Sequence, residues 1–193
     1  MFAMAFALLL VGGPSCAADF WRPFLAGAAS GFVVHESSHV VMDIAFDAKP
    51  RLKGVHFGPI PFFAVTHRSD LPPRHEALIS GAGFFSQHIT SEILLSRLTS
   101  AERMSAFGKG ALAFHVATSV AYAGAAFTRY GPDERDTRGI ADSIRSDERF
   151  IGLLVIGPAV FDTWRFFRPR SRTARWGSRI AKVAFIGAIA LKN

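Results

Sequence analysis

Cysteine is almost absent from this chain of 193 residues, since Cys16 is the only one. A single cysteine excludes an internal disulfide and any zinc cluster built on several thiolates. A metal site in this protein must therefore use histidine and carboxylate side chains. Internal repeats and low-complexity tracts are also missing from the sequence, and its length suits one domain rather than two.

The sequence also lacks a basic face with interleaved aromatic residues, although its net charge is +7. The basic residues lie between apolar stretches, and the densest group consists of Arg165, Arg168, Arg170, Arg172, Arg175 and Arg179. An arginine cluster beside an apolar run is typical of an anchor for anionic lipid headgroups. This pattern favours the lipid bilayer as a partner and predicts no binding of nucleic acid.

Apolar residues are abundant. They make up 50% of the chain, 19 residues are phenylalanine, and the mean hydropathy is +0.25. Apolar stretches cover residues 24–46, 77–95, 110–127 and 150–167, with a shorter one at 180–191. The first is long enough to cross about 30 Å of hydrocarbon as a helix. We therefore predict a mainly α protein, a polytopic transmembrane helical bundle with about four to six apolar segments, located in the membrane as a multi-pass protein.

Residues 1–19 are predicted to form a separate N-terminal segment. An apolar run there ends in Gly13, Pro14, Ser15 and Cys16, which resembles the small-residue cleavage site of a signal peptide. No Lys or Arg precedes the run, so an uncleaved first membrane segment is the alternative. Residues 20–193 are predicted to form a single membrane-embedded domain.

Two polar or punctuated stretches separate the apolar ones. Residues 52–65 combine valine, isoleucine and phenylalanine with Gly54, Gly58, Pro59 and Pro61, which predicts a short β-hairpin rather than a helix. Residues 130–149 are polar and carry charges of both signs. They are predicted to form a surface loop with one or two helical turns.

The first long apolar stretch contains the pattern HExxH, as His35, Glu36 and His39. Residues i and i+4 lie on the same face of a helix, so both imidazoles can bind one Zn²⁺ at about 2.0–2.1 Å. Glu36 is then placed to take a proton from the metal-bound water, whose pKa zinc lowers towards about 7. The pattern predicts one zinc ion per chain, with Glu36 as the catalytic base.

Three ionisable residues within one apolar segment need a compensating role, because each costs at least about 2.5 kcal/mol on insertion into a membrane. The alternative is that the helix belongs to a soluble core, or that the imidazoles only form hydrogen bonds to neighbouring helices. Asp43 follows one turn after His39. It either orients an imidazole or marks the end of the span.

A catalytic zinc site needs a third protein ligand. Asp162 is the leading candidate, because it is a lone carboxylate in an apolar segment that Pro158 can loosen. An ion pair with nearby Arg165 is the alternative role for Asp162. The other candidate ligands, each flanked by apolar residues, are His115, His88 and Glu92.

Taken in order, these landmarks resemble the site-2 protease family of intramembrane metalloproteases. They are HExxH in a membrane helix, a Gly/Pro-punctuated hairpin, the segment 77–87, and an Asp in a Pro-containing span. In that family the first motif supplies two zinc ligands and the base, which match His35, His39 and Glu36. The third motif, Leu-Asp-Gly, supplies the last ligand and corresponds to residues 161–163, where Thr163 replaces the glycine.

The family's second motif, Gly-Pro-x-x-Asn, corresponds to residues 83–87, with Phe84 for the proline and Gln87 for the asparagine. The resemblance implies that Gly83 and Gln87 hold the substrate backbone or an oxyanion. It also implies an intramembrane zinc metalloprotease that cleaves a membrane protein or peptide substrate. The apolar segment 110–127 between the second and third motifs is not expected from the family's three-helix core.

Two other functions remain open at this stage. The replacements at Phe84, Gln87 and Thr163 are compatible with a catalytically silent membrane protein that binds metal or serves as a scaffold. The His35 and His39 pair also satisfies the HxxxH pattern of membrane di-iron oxygenases. Such enzymes need several clustered histidine boxes, whereas the remaining histidines here are scattered singly.

Overall fold

The computed structural model describes residues 17–57 and 59–191. The helices are α1 (Ala17–Ala45), α2 (Pro73–Ser96), α3 (Ala106–Thr128), α4 (Asp136–Ser143), α5 (Glu148–Phe167) and α6 (Arg172–Leu191), and the strands are β1 (Arg51–Phe57) and β2 (Ile60–Thr66). This arrangement confirms the predicted mainly α fold with a hairpin after the HExxH helix. Most of the predicted segment 1–19 lies outside the described residues, and α1 begins at Ala17.

Local signals fix several helix ends. The Ser105 hydroxyl accepts a hydrogen bond from the Gly108 N–H at 3.1 Å, and Asp147 accepts one from the Arg149 N–H at 2.8 Å. Both residues therefore cap exposed N–H groups, at the starts of α3 and α5 respectively. Helix α3 ends at Arg129, whose φ of 55° is left-handed and stops the helical repeat. The predicted apolar stretch 180–191 is the second half of the longer helix α6.

The hairpin is an antiparallel pair in which Arg51 lies opposite Thr66 and Phe57 lies opposite Ile60. It packs against α1 through the rings of Phe32 and Phe63, whose centroids are 6.0 Å apart. Just beyond β2, the N–H of Arg68 donates to the carbonyl of Ala48 at 3.0 Å. This hydrogen bond joins the segment before β1 to the segment after β2, close to the end of α1.

Helix α2 lies in the middle of the bundle and packs against each of the other five helices described. Residues 80–83, Ser-Gly-Ala-Gly, are all buried, which shows that this part of α2 is covered on every side. Small side chains let neighbouring backbones approach closely, which is how helices associate where lipid removes the hydrophobic driving force. Gly27 and Gly110 likewise let the backbones of α1 and α3 approach each other closely.

The interior of the bundle holds an apolar core together with several polar side chains. Large apolar side chains such as Leu25, Val41, Ile93, Leu153 and Val183 are exposed, and several charged or imidazole side chains are buried. Among the residues that the structure describes, the two helices Ala106–Thr128 and Glu148–Phe167 are long and apolar enough to cross a membrane. About half of each apolar window is covered by the rest of the protein, so the other half faces outwards.

The close approach of α1 and α3 predicts a difference between two glycines of α3. A Cβ at Gly110 would collide with the Phe24 carbonyl, whereas a Cβ at Gly124 would meet nothing within 4 Å. We expect Gly110→Ala to destabilise the fold by about 1–3 kcal/mol, as overpacking does. Gly124→Ala is expected to be neutral or slightly stabilising, because alanine favours a helix. Melting temperatures of both variants in detergent test this, and equal shifts would contradict the packing.

Candidate metal centre

His35 and His39 lie one turn apart on α1, and both face the bundle interior. Their side chains are almost fully buried, and their Nε2 atoms are 3.4 Å apart. This juxtaposition follows from the helical spacing i, i+4. The HExxH segment is therefore helical and turned inwards, as the sequence predicts.

Helix α2 orients both rings. The carbonyl of Ile79 lies 2.8 Å from Nδ1 of His39. Because a carbonyl can only accept, Nδ1 carries a proton, and Nε2 is the nitrogen that would bind a metal in the neutral imidazole. The ring of His35 lies directly on Gly83, where any Cβ would collide with three ring atoms. Because residue 83 is glycine, the His35 imidazole has room to lie against α2.

Asp136, the first residue of α4, completes the group. Its Oδ2 atom lies 3.2 Å from Nε2 of His35 and 3.4 Å from Nε2 of His39. The three side chains bring one possible ligand atom each within 4.8 Å of one another. The carboxylate is largely buried, with a side-chain exposure of 12%.

The residues on either side of Asp136 hold it in place. The Arg135 guanidinium donates two hydrogen bonds to Glu148 of α5, at 2.7 and 2.6 Å. The Thr137 hydroxyl donates to the same carboxylate at 2.7 Å. Since Glu148 binds both neighbours of Asp136, the first turn of α4 is fixed to α5 and its carboxylate is directed at the histidines.

Charge favours the ionised form of Asp136. Burial acts to raise the pKa of this carboxyl group, but the imidazoles of His39 and His35 outweigh burial and hold its pKa well below the ordinary range. The group is therefore an anion at neutral pH. An ionised carboxylate beside two imidazoles is a donor set that zinc accepts.

The spacing of the donor atoms fits zinc. For tetrahedral coordination with bonds of about 2.0–2.1 Å, neighbouring ligand atoms lie about 3.3–3.4 Å apart. The three separations between Nε2 of His35, Nε2 of His39 and Oδ2 of Asp136 are 3.4, 3.2 and 3.4 Å. Such a set leaves the fourth tetrahedral position for water or substrate.

Glu36 borders a cavity next to this group. The cavity has a volume of about 240 Å³ and is also lined by His39, Asp136, the hairpin and one face of α3. Glu36 is only partly buried, whereas the two histidines are buried. The Glu36 carboxylate therefore borders the cavity, while the His35 and His39 rings lie against each other.

The prediction that Asp162 completes the histidine pair does not agree with the structure. Asp162 is fully buried between other helices, where it accepts a hydrogen bond from Ser178 at 2.6 Å and lies 3.0 Å from Nζ of Lys182. Its other oxygen lies 3.2 Å from Nε2 of His115. The cation beside this buried carboxylate is the Lys182 ammonium, and the structure does not bring Asp162 to the histidine pair.

The alternative ligand candidates His115, His88 and Glu92 belong to the same second cluster. Arg165 pairs with Glu92 at 2.6 Å rather than with Asp162, and the rings of His88 and His115 meet edge to face. Asp43 does not orient His39, because it lies 3.2 Å from Nδ1 of His67.

Gln87 is buried one turn after Gly83. It faces a small cavity lined with Val34, Phe114 and His115, and it does not line the cavity beside Glu36. This arrangement does not support an oxyanion role for Gln87. The absence of a side chain at Gly83 leaves room for the His35 ring.

Sequence reasoning missed Asp136 because it sought a carboxylate inside an apolar stretch. Asp136 lies in the polar segment 130–149 among several exposed acidic residues such as Asp133 and Asp142. The helical turn predicted in this segment could have indicated a buried face. In the structure this turn is α4, which packs Gly139 against Ser80 of α2 and directs Asp136 inwards.

Comparison with models of protein families, with curated proteins and with solved structures gave no match.

A second, more polar cavity of about 490 Å³ meets the site from the other side. His39 and Asp136 line it, together with His67 and Glu76. His67 lies just beyond β2, and its Nε2 is 2.6 Å from Glu76. The hydrogen bond to Glu76 raises the pKa of the His67 imidazole, against burial, which lowers it.

The hydrogen-bonded pair of His67 and Glu76 predicts that the stability of the fold depends on pH. A histidine whose pKa is raised by folding stabilises the fold fully below its unfolded pKa of about 6.5, and this stabilisation is lost as the pH rises through the folded pKa. We expect the melting temperature of the parent to fall over that interval, and His67→Gln to make this fall smaller. The exposed His56 of β1 supplies the control, because His56→Gln is expected to keep it. Parallel profiles for the parent and His67→Gln would contradict the assignment.

Two aspartates give the sharpest test of the site. We expect Asp136→Asn to weaken zinc binding by more than about 100-fold, the upper end of the loss caused by changes beyond the direct ligands. Asp162→Asn removes a fully buried aspartate outside this group and is expected to leave zinc affinity unchanged. Competition with a chromophoric chelator measures both. Retention of parental affinity by Asp136→Asn would remove Asp136 from the ligand set.

Proposed function

We propose that this protein is an intramembrane zinc metalloprotease that hydrolyses peptide bonds of membrane-spanning or membrane-associated substrates. The observation that carries the proposal is the meeting of Asp136 with both histidines of HExxH, beside a cavity bordered by Glu36. Two imidazoles, one carboxylate and a neighbouring free carboxylate form the donor and base set of hydrolytic zinc sites. A divalent cation would also balance the two carboxylates.

The surface supports a multi-pass membrane location. Exposed leucine, isoleucine, valine and phenylalanine side chains occur on α1, α2, α3, α5 and α6. The imidazoles of His35, His39, His88 and His115 and the Lys182 ammonium are buried. Large apolar side chains exposed on five helices suit contact with lipid, and buried ionisable groups mark function in membrane proteins. Polar residues buried in α1 and α2 lower the mean hydropathy of these helices, although their outer faces are apolar.

The reaction follows from the residues around the cavity. Zinc, when bound, would polarise the scissile carbonyl and make water more acidic. Glu36 takes a proton from the attacking water and delivers it to the leaving amine. His39 is held in the required tautomer by the Ile79 carbonyl, and Asp136 supplies negative charge. Glu148 acts through Arg135 and Thr137 by fixing the helix that carries Asp136.

The hairpin supports binding of an extended substrate. Three consecutive residues of β2, namely Phe63, Ala64 and Val65, line the cavity. Alternate residues of a strand point to opposite faces, so contact from consecutive residues means that the edge of β2 borders the cavity. An unwound peptide can pair with such an edge, which exposes a scissile carbonyl that a helix would hide.

A metal-binding scaffold without catalysis is the second candidate, based on the replacements at Phe84, Gln87 and Thr163. The ring of Phe84 packs edge to face on His35 at 5.7 Å, so this replacement contributes to the site. An intact Glu36 facing the cavity favours catalysis.

One substitution separates the two candidates. We expect Glu36→Gln to bind zinc as the parent does and to lose about 10²–10⁴-fold in cleavage rate, because the amide cannot accept a proton. Zinc content and cleavage of a panel of single-span substrates in detergent or liposomes provide the readouts. Cleavage by Glu36→Gln at the parental rate would contradict the role of Glu36. Zinc in both proteins with no cleavage by either would favour the scaffold.

A further inference from the structure

We propose that the cavity beside Glu36 is a subsite for one apolar side chain of the substrate, a branched aliphatic or phenyl group next to the scissile bond. The inference rests on the proposed function and names the chemistry that the same site selects. It comes from the walls of the cavity, from the charges at its rim and from its size.

The walls are apolar and come from two elements that face each other. Val55 of β1 and the residues 63–65 of β2 form one wall. Ala121, Tyr122 and Ala125 of α3 form the other. Glu36, His39 and Asp136 lie where the two walls meet, so a side chain between the walls has its backbone beside the reacting groups.

Two charged residues at the rim, Glu134 and Arg135, already have partners within the protein, and Glu36 is the proposed base. Lys53 of β1 lies 2.5 Å from Glu134, and Arg135 is bound to Glu148 at 2.7 and 2.6 Å. A charged substrate side chain would have to displace one of these pairs or lose its water without compensation. An apolar side chain avoids both costs and loses only its contact with water.

The size suits one side chain. A volume of about 240 Å³ lies below the range of about 300–1,000 Å³ typical of sites for drug-sized molecules. The room exists because α3 presents alanine at positions 121 and 125. Ala121 is exposed towards the cavity, so a larger residue there narrows the space without disturbing the buried side of α3.

The test uses peptide hydroxamates that bind zinc directly and differ in one side chain, namely hydrogen, methyl, isobutyl or benzyl. Their dissociation constants are measured on the zinc-loaded full chain in detergent. Each buried methylene strengthens binding by about fourfold. We therefore expect the isobutyl compound to bind at least about tenfold more tightly than the methyl compound.

Two leucine variants of α3 make the comparison specific. Ala121→Leu narrows the cavity, and we expect it to weaken the isobutyl and benzyl compounds at least about tenfold while the hydrogen compound is unaffected. Ala117, exposed one turn earlier on the same helix, does not line the cavity. Ala117→Leu is expected to leave the whole series unchanged. Ala64→Leu narrows the opposite wall and is expected to repeat the effect of Ala121→Leu.

The outcomes separate this inference from the proposed function. Zinc-dependent binding that does not vary with the side chain, or equal effects of Ala117→Leu and Ala121→Leu, would overturn the subsite and leave the metalloprotease proposal intact. Selective binding without cleavage of any substrate would support the subsite and contradict the proposed activity. Failure of the protein to take up zinc would overturn both.

Discussion

Burying two imidazoles and a carboxylate inside an apolar helical bundle is unfavourable unless their charges and lone pairs are compensated. Much of the fold serves to bring these three groups together. The helical repeat of α1 sets the two histidines side by side, Gly83 leaves room for one ring, and the Ile79 carbonyl fixes the other. Glu148 then fixes the start of α4 and so the position of Asp136. The central place of α2 in the bundle follows from the same need.

The negative charges of Asp162 and Asp136 are compensated by different groups. Around Asp162 the compensating positive charge is the ammonium of Lys182, supplied by α6. Around Asp136 the ion-pair partners among the described residues are the imidazoles of His35 and His39. A neutral imidazole is a metal ligand, and a protonated one cannot be. The two sites therefore differ in their cation: an ammonium faces Asp162, whereas a divalent cation held by neutral imidazoles would take that place at the site that Glu36 borders.

Features set by neighbouring residues could be predicted from the sequence, and features set by distant ones could not. The i, i+4 spacing of His35 and His39 and the Gly/Pro pattern of residues 52–65 are local, and the helical arrangement and the hairpin confirmed them. Asp136 is about 100 residues from the histidines, and its burial depends on how α4 docks against α2. Asp162 was misassigned because its cation, Lys182, comes from the next helix. A requirement for charge compensation can be inferred from one segment, but the group that meets it cannot.

The most direct test of this account is the position of zinc, found by anomalous scattering from crystals of the full chain grown with zinc. The account predicts one strong peak within about 2.0–2.2 Å of Nε2 of His35, Nε2 of His39 and a carboxylate oxygen of Asp136. A peak between Asp162 and His115, or no peak near the HExxH helix, would contradict it.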